Sequence, residues 1–591
     1  MGSRPRGAQG LLAVAASAVA LAAADTYVVV LALPDMMAGA GLGIESLQRG
    51  TPIISGFLLG YIAVLPLIGR LADLVPRRRI LLGCLVVFVI GSAITAAAVE
   101  LPVMVGGRVL QGLGGGGLVP ATLAMVADLW PPGRRGTPLG VVGAVQELGS
   151  VVGPLLGAAV LLVTSWRGIF WLNVVLGLLF VLGVWSVGRR LPSEDGPPGT
   201  RHTDPREHLS RPPGRSRLAT VAPWLLGAIV LALGTLTLWA PEVLVTSVAY
   251  GEPFIPFGQT SDSRVATPLG LVTAIALLLL AVVTARRWLP VLVRADVLGA
   301  TFIAAALGSL VLTFSSADPE SEVLGPWGLW LLPLGGVAVL AFLVRQRMAV
   351  HPLIAPGVVR RRVVPGLLVS LLVGAAIVAI VVDVPLLARL TPGTSQTDAA
   401  FVLVRFLVTV PVGAVVGGMA LRRLGPGLVA APGLLLAAGA LWVMSGWTRG
   451  SLEELVPTTL VLAAAGFGIG AAIAPVNDAA LADARDDAHG TVSSLVVVAR
   501  MVGMVVGLAL LTAVGLRRFH QAVAALPDAT DSEAVLDAAV VQVQTVFAGA
   551  GLCALAAGLL AVLLGWRRVG HLDAESRLDQ APTAGTPAHQ S

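Results

Sequence analysis

The chain has 591 residues, 56% hydrophobic and only 12% charged, with 39 basic against 33 acidic side chains and a formal net charge of +6. A water-soluble globule carries about 25% charged residues on average, so this composition excludes an ordinary soluble enzyme and points to a chain that faces lipid. The positive balance does not describe a nucleic-acid surface. The basic residues are all arginine and stand in short clusters between apolar runs, as in membrane proteins that hold their cations on one side.

Apolar runs of the ~20 residues needed to cross a bilayer number about fourteen. The first has a basic start and an Ala-rich end, like a signal peptide. Apolarity resumes at once in TYVVVLAL, so the combined run over 11–33 is read as an uncleaved first span. A six-helix bundle is expected over 1–190. Residues 191–218, rich in Pro, Gly and charge, form a cytoplasmic linker. Two additional spans joined by an external loop at 242–265 occupy 219–290. A second six-helix bundle fills 291–570. Within it, the polar but helix-patterned segment 516–541 extends beyond the outer face, with an N-cap at Asp531 or Ser532. The tail over 571–591 is polar and expected to be disordered and cytoplasmic. The arginine clusters, from Arg77–Arg79 to Arg567–Arg568, follow even-numbered spans, which puts both termini in the cytoplasm. The expected architecture is an all-α membrane protein: two six-helix bundles plus two additional central helices, about 14 transmembrane helices in all.

Six charged residues fall inside apolar runs: Asp25, Arg108, Glu147, Asp383, Arg405 and Arg500; Asp478 lies nearer a span end. A charge at mid-membrane costs at least about 2.5–3.5 kcal/mol, so each is a functional candidate by default. Neither Asp25 nor Glu147 has a basic residue one helical turn away, so any partner must come from another helix. A desolvated carboxyl of this kind can take up and release a proton. Arg500 is a candidate to pair with one carboxylate in one state and lose it in the other. For Arg405 a structural ion pair and a functional role stay equally open.

Other signatures are weak or absent. Gly112, Gly114 and Gly117 satisfy G-x-G-x-x-G, but they lie in an apolar run with no preceding strand, so nucleotide binding is rejected in favour of close helix packing. Cys84 and Cys553 sit in apolar runs, which argues against a disulfide or a zinc site. His351, His489 and His520 are scattered. No H-E-x-x-H, G-x-S-x-G or Walker loop occurs.

Four stretches carry a resemblance: GRLADLVPRRRI (69–80), RVLQGLGGGG (108–117), GSVVGPLLG (149–157) and WRGIFWLNV (166–174). Together they resemble the major facilitator superfamily, and in particular its fourteen-span drug:proton antiporter branch, over roughly residues 10–570. Pro76 stands where that family usually has Gly. The stretches around Asp25, Glu147, 404–418 and 493–507 also look like the mycobacterial triacylglyceride exporters of the superfamily, which are described as multidrug efflux pumps too. The resemblance implies a gating loop of Gly69, Asp73, Arg77 and Arg78, with the arginines facing the cytosol. It implies helix packing and bending at Gly149, Gly153, Pro154 and Gly157, and proton coupling at Asp25, Glu147, Arg500 and Arg108.

The function it implies is proton-coupled export of triacylglyceride-like lipids out of the inner membrane by alternating access. Such an exporter has no cofactor beyond the proton gradient, acts as a monomer, and hands cargo to a periplasmic lipoprotein acceptor. The alternative is a multidrug:proton antiporter for amphipathic drugs, for which Asp383 would be the residue to watch.

Overall fold

The structure is a computed structural model that describes residues 6–40, 47–131, 134–188, 217–239, 248–249, 252–253, 268–315, 328–391, 396–482, 484–485, 488–527 and 531–565. The linker read at 191–218 lies outside these residues except for its last two, and so do the tail at 571–591 and most of the loop at 242–265.

The described residues form sixteen α-helices. The first six are α1 (Arg6–Gly39), α2 (Leu47–Leu74), α3 (Arg77–Ala97), α4 (Leu101–Leu129), α5 (Gly136–Val163) and α6 (Arg167–Gly188). Next come α7 (Arg217–Trp239), α8 (Pro268–Arg294), α9 (Val297–Ser315) and α10 (Gly328–Met348). The last six are α11 (Val363–Leu390), α12 (Gln396–Ala420), α13 (Pro426–Met444), α14 (Leu455–Ala482), α15 (His489–Ala524) and α16 (Ser532–Ala561). A two-residue antiparallel pair, β1 (Val248–Ala249) with β2 (Glu252–Pro253), lies between α7 and α8. Helix is what lipid demands of such sequences, since every backbone N–H and C=O must be satisfied within the segment.

Among the described residues, thirteen helices are long and apolar enough to cross a membrane, or fourteen when the bent pair at the α8–α9 junction counts as one span. That bend, 64°, has a local cause. Asp296 adopts a left-handed φ of 52°. Its Oδ1 accepts from Gly299 N at 3.3 Å, capping α9, and from Arg345 Nε on α10 at 2.9 Å.

The segment 291–570, read above as six helices, holds eight, α9–α16. α9 packs on α10 and on α2, whereas α11 packs on α16, α12 and α13 on α14, and α13 on α16. Length and polarity find an apolar run but do not say which bundle it joins, because that choice is made by shape complementarity between helices. Residues 516–541 continue α15 to Ala524 and resume in α16 at Ser532, where Asp531 accepts from the backbone N–H of Glu533 and of Ala534 at 3.0 and 3.4 Å. α15 has 36 residues, or ~54 Å of helix against a hydrocarbon core of about 30 Å.

The chain divides into two units that cut across the sequence: 1–125, 145–358 and 485–509 in one, and 126–144, 359–484 and 510–591 in the other. In the first, Val28, Met36, Ile53, Met104, Trp166 and Phe170 make a buried cluster from α1, α2, α4 and α6. Trp166 and Phe170 meet edge to face at 6.0 Å. The second is centred on α14, flanked by α12 and α13, with Trp447 against Phe547 at 6.4 Å.

Candidate functional site

Glycines set the geometry of the first unit. A Cβ on Gly112 or Gly116 of α4 would run into the peptide groups of Phe57 and Tyr61 on α2, and one on Gly114 would strike Phe88 on α3. The G-x-G pattern of α4 is therefore a pair of helix-contact faces, as expected from small residues in a membrane. On α5, Gly149 and Gly153 press against the backbone of Ala20 and Ala24 on α1, and Gly157 against Val28. α5 continues as one helix through position 154. Helices carrying Asp25, Arg108 and Glu147 are thus held at backbone contact distance from their neighbours.

Asp25 and Arg108 form a buried ion pair, 2% and 0% exposed, with Arg108 Nη1 donating to Asp25 Oδ2 at 2.5 Å. The second carboxylate oxygen accepts from Asn173 Nδ2 at 2.5 Å. Arg108 also donates to Gln111 Oε1 at 2.7 Å and, through Nε, to the carbonyl of Ile53 at 3.2 Å. Gln111 in turn donates to Ser92 Oγ at 2.9 Å. The Phe57 ring lies under the guanidinium at 4.4 Å and Phe170 lies at 5.7 Å. Two charges can stay in so dry a place because each is paired and further hydrogen-bonded: each Asp25 oxygen has a donor, and Arg108 Nε and Nη1 have acceptors.

The second pair differs. Arg500 on α15 stands 3.6 Å from Glu147 on α5, and the two side chains are 11% and 14% exposed. This contact is longer, single and partly open. A pair of that kind is easier to break and reform than the sealed Asp25–Arg108 network.

The motif at 69–80 is not a loop. α2 runs through Gly69 and Asp73 to Leu74, and α3 begins at Arg77, leaving only Val75 and Pro76 between them. Gly69 does not supply a turn; it admits α15, since a Cβ there would collide with Gly490 and Ser494. Asp73 is buried and caps that helix: Oδ1 accepts from Gly490 N at 2.6 Å, and Oδ2 from Thr491 N at 2.9 Å and Thr491 Oγ1 at 2.6 Å. Arg77 does not face solvent. It is 3% exposed, with Nη2 4.0 Å from Asp73. Arg78 donates to the carbonyl of Trp185 at 2.8 Å.

A repeat explains this cap. Residues 490–507 (GTVSSLVVVARMVGMVVG) match 136–153 (GTPLGVVGAVQELGSVVG) at the initial Gly-Thr and at both glycines of the last turns. Arg500 stands at the position of Gln146, next to that of Glu147. In the second unit, Gly136 meets Gly418 of α12 and Leu421 just beyond it, as Gly490 meets Gly69 and Ala72. In that register Arg422, not a carboxylate, stands at the place of Asp73, and Thr137 Oγ1 is buried with no hydrogen-bond partner among the described residues.

The remaining charges lie in the second unit. Asp383 on α11 is 2% exposed, and its Oδ2 has no hydrogen-bond partner among the described residues. Arg405 on α12 donates to Thr458 Oγ1 on α14 at 3.4 Å, a weak contact with no carboxylate in it. Asp478 on α14 is buried within reach of the charges of Arg135 and Arg362.

Sequence reasoning named the four charges of the two pairs without pairing them, and it missed Asn173, Gln111 and Ser92. Asn173 and Gln111 sat inside quoted motifs, and a polar amide in a membrane span was the available signal.

A polytopic helical chain that holds two ion pairs, Asp25–Arg108 and Glu147–Arg500, within its spans has the construction of a membrane transporter. The family model described as Major Facilitator Superfamily matches residues 15–344. The triacylglyceride transporter of Mycolicibacterium hassiacum is 35% identical, with 98% of each chain covered. That of Mycobacteroides abscessus is 36% identical over 85% of this chain and 82% of its own, and that of Mycobacterium tuberculosis 34% over 88% and 85%. Among solved structures, the proton:xylose symporter XylE has a TM-score of 0.53 at 12% identity, covering 96% of this chain and 98% of its own. The human organic anion transporter MFSD10 has a TM-score of 0.51 at 15% identity, covering 94% and 100%. The chain belongs to the Major Facilitator Superfamily. It is a multi-pass membrane transporter of a lipid or small-molecule substrate, not an enzyme.

Proposed function

We propose that this transporter is a proton-coupled exporter of triacylglyceride-like lipids, working by alternating access in the inner membrane with both termini in the cytoplasm. The observation that carries the reading is the contrast between its two charge pairs. The sealed Asp25–Arg108 pair fixes a structure, and the partly open Glu147–Arg500 pair can exchange a proton. Protonation of Glu147 releases Arg500, and the free energy of that step shifts the balance between two conformations. The Asp73 cap on α15 holds one of them, since it ties a helix of the first six to a helix of the last six.

The lipid cargo is supported by relatives named as triacylglyceride transporters and matched along nearly their whole length. The proton gradient is the only energy source and no cofactor takes part. The chain acts as a monomer, and α15 and α16, longer than a bilayer requires, suit a handover to a periplasmic lipoprotein. A second reading, export of amphipathic cationic drugs, is favoured by Asp383, whose buried carboxylate has an oxygen with no hydrogen-bond partner among the described residues.

The test uses a mycobacterial strain lacking its own lipid exporter, expressing the wild type or Glu147→Gln. Surface triacylglyceride and ethidium efflux are measured in the same cells. Restoration of surface lipid by the wild type and not by the variant is the expected result. Ethidium efflux without any change in surface lipid would replace the lipid reading with the drug reading.

A further inference from the structure

Between α13 and α14 the chain makes a short 3-10 turn, Arg449–Glu453, closed by a capping box in which Ser451 Oγ accepts from Thr448 N at 2.9 Å. Arg449 reaches from that turn in two directions. Toward α11, its Nε donates to the carbonyl of Leu390 at 3.1 Å, and its own carbonyl accepts from Thr391 Oγ1 at 2.9 Å. Leu390 is the last residue of α11, so the guanidinium satisfies a carbonyl at the helix C-terminus, where the dipole favours a cation. Toward α16, its Nη1 donates to Glu533 Oε2 at 2.6 Å and to Asp537 Oδ1 at 3.2 Å. Glu533 stands in the first turn of α16, where the dipole favours a carboxylate. One cation thus ties the end of α11 to the start of α16.

Both carboxylates are mostly exposed, and a lone surface pair of that kind holds little. This contact is not alone. The Arg449 side chain is only 12% exposed and spreads its planar fork over three acceptors. Further along α16, Gln544 Nε2 donates to the carbonyl of Trp447 at 2.8 Å, and the Phe547 ring meets Trp447 edge to face. Glu533, Asp537, Gln544 and Phe547 lie on one stripe of the helix, ~21 Å long at 1.5 Å rise per residue. Arg449 grips one end of that stripe and Trp447 the other. A second face of α16 carries α15: a Cβ on Gly515 would meet Gln542 and Val546, and one on Gly549 would meet Leu511. The far ends of α15 and α16 are therefore packed together as a hairpin, and the 447–449 turn fastens that hairpin to α11, α13 and α14.

We propose that Arg449 is a positioning residue that fastens the α15–α16 hairpin to the body of the second unit, so that hairpin and body move as one piece and a departing lipid meets an exit of constant shape. The inference rests on the lipid-export reading above. An apolar cargo that must cross the headgroup layer needs a continuous surface to follow. A hairpin that swings free of its unit breaks that surface even when the charge pairs within the spans are intact.

The test uses the full-length chain with Cys84 and Cys553 replaced by alanine, as parent, as Arg449→Ala, and as the exchange Arg449→Glu with Glu533→Arg. Spin labels at Gln521→Cys and Glu453→Cys, both exposed positions, report the distance between hairpin and turn in proteoliposomes. A second pair, at Leu424→Cys and Glu453→Cys, stays within the body of the unit and serves as control. Surface triacylglyceride is measured for the same three chains, unlabelled, in a mycobacterial strain lacking its own lipid exporter. In the parent the hairpin distance is expected to be single and narrow. In Arg449→Ala it broadens while the control pair does not, and surface lipid falls several-fold at equal membrane abundance. The exchange rebuilds the ion pair, with Asp537 one turn from the new arginine, and returns both readouts close to the parent. A hairpin distance as narrow in Arg449→Ala as in the parent overturns the proposal, and so does a broadened one with undiminished surface lipid. Broadening of both label pairs marks Arg449 as support for the whole unit and overturns it too, as does an exchange that restores neither readout. A parent that restores no surface lipid overturns the lipid-export reading and this inference with it.

Discussion

Removing one member of the sealed pair should hurt far more than removing both. In Asp25→Asn the Arg108 guanidinium stays fully buried and keeps only neutral partners among the described residues: Gln111 at 2.7 Å, the Ile53 carbonyl at 3.2 Å, and the Phe57 and Phe170 rings at 4.4 and 5.7 Å. A ring contributes about 0.5–2 kcal/mol, too little to replace a carboxylate, so this variant should lose about 3–5 kcal/mol of stability. Arg108→Gln strands the Asp25 carboxylate with Asn173 as its one donor and should lose a similar amount. The double variant has no buried charge left. Its amides can hydrogen-bond to each other and to Gln111, and losing a few neutral hydrogen bonds costs about 1 kcal/mol each. It should be no less stable than either single variant, a departure from additivity of ~3 kcal/mol. Reversible unfolding of the purified chain in mixed micelles, followed by tryptophan fluorescence, measures all four corners of the cycle. A double variant that loses the sum of the two single losses would refute the reasoning, because it would mean the charges do not depend on each other.

Two further outcomes follow from the geometry. Asp73→Asn weakens the acceptor that holds Gly490 and Thr491, so a cysteine placed at buried Ser494 should react with a membrane-impermeant maleimide several-fold faster than in the parent; equal labelling rates would deny the cap a gating role. Asp383→Asn replaces a buried carboxylate with a neutral amide of the same shape. It should leave folding and lipid export intact and abolish efflux of cationic dyes; unchanged ethidium efflux would remove the basis for the drug reading.

How much of this was legible in the sequence varies residue by residue. Asp25, Arg108, Glu147 and Arg500 declared themselves, since a charge in an apolar run has few reasons to be there. That their partners lay on other helices was also readable, because nothing basic stood one turn away. Which carboxylate met which arginine was not, as Arg108 and Arg500 were both free candidates until the glycine seams of α4 and α5 fixed the helix neighbours. The stretch at 69–80 was misread as a loop because Gly69 and three arginines resemble turn punctuation. In the structure the same glycine is a contact face and Arg77 is buried. The number of helices after residue 290 went wrong for a different reason: α9 and α10 are as apolar as their neighbours, and only packing separates them from the set α11–α16.

The account stands most directly on one carboxyl group. Wild type and Glu147→Gln, reconstituted in proteoliposomes, can be compared for transport with and without an imposed proton gradient. The wild type should speed up several-fold when protons can run against the cargo, and the variant should move cargo at one rate whatever the gradient. A Glu147→Gln protein that still accelerates with the gradient would contradict the central claim, since the proton would then be travelling by another residue.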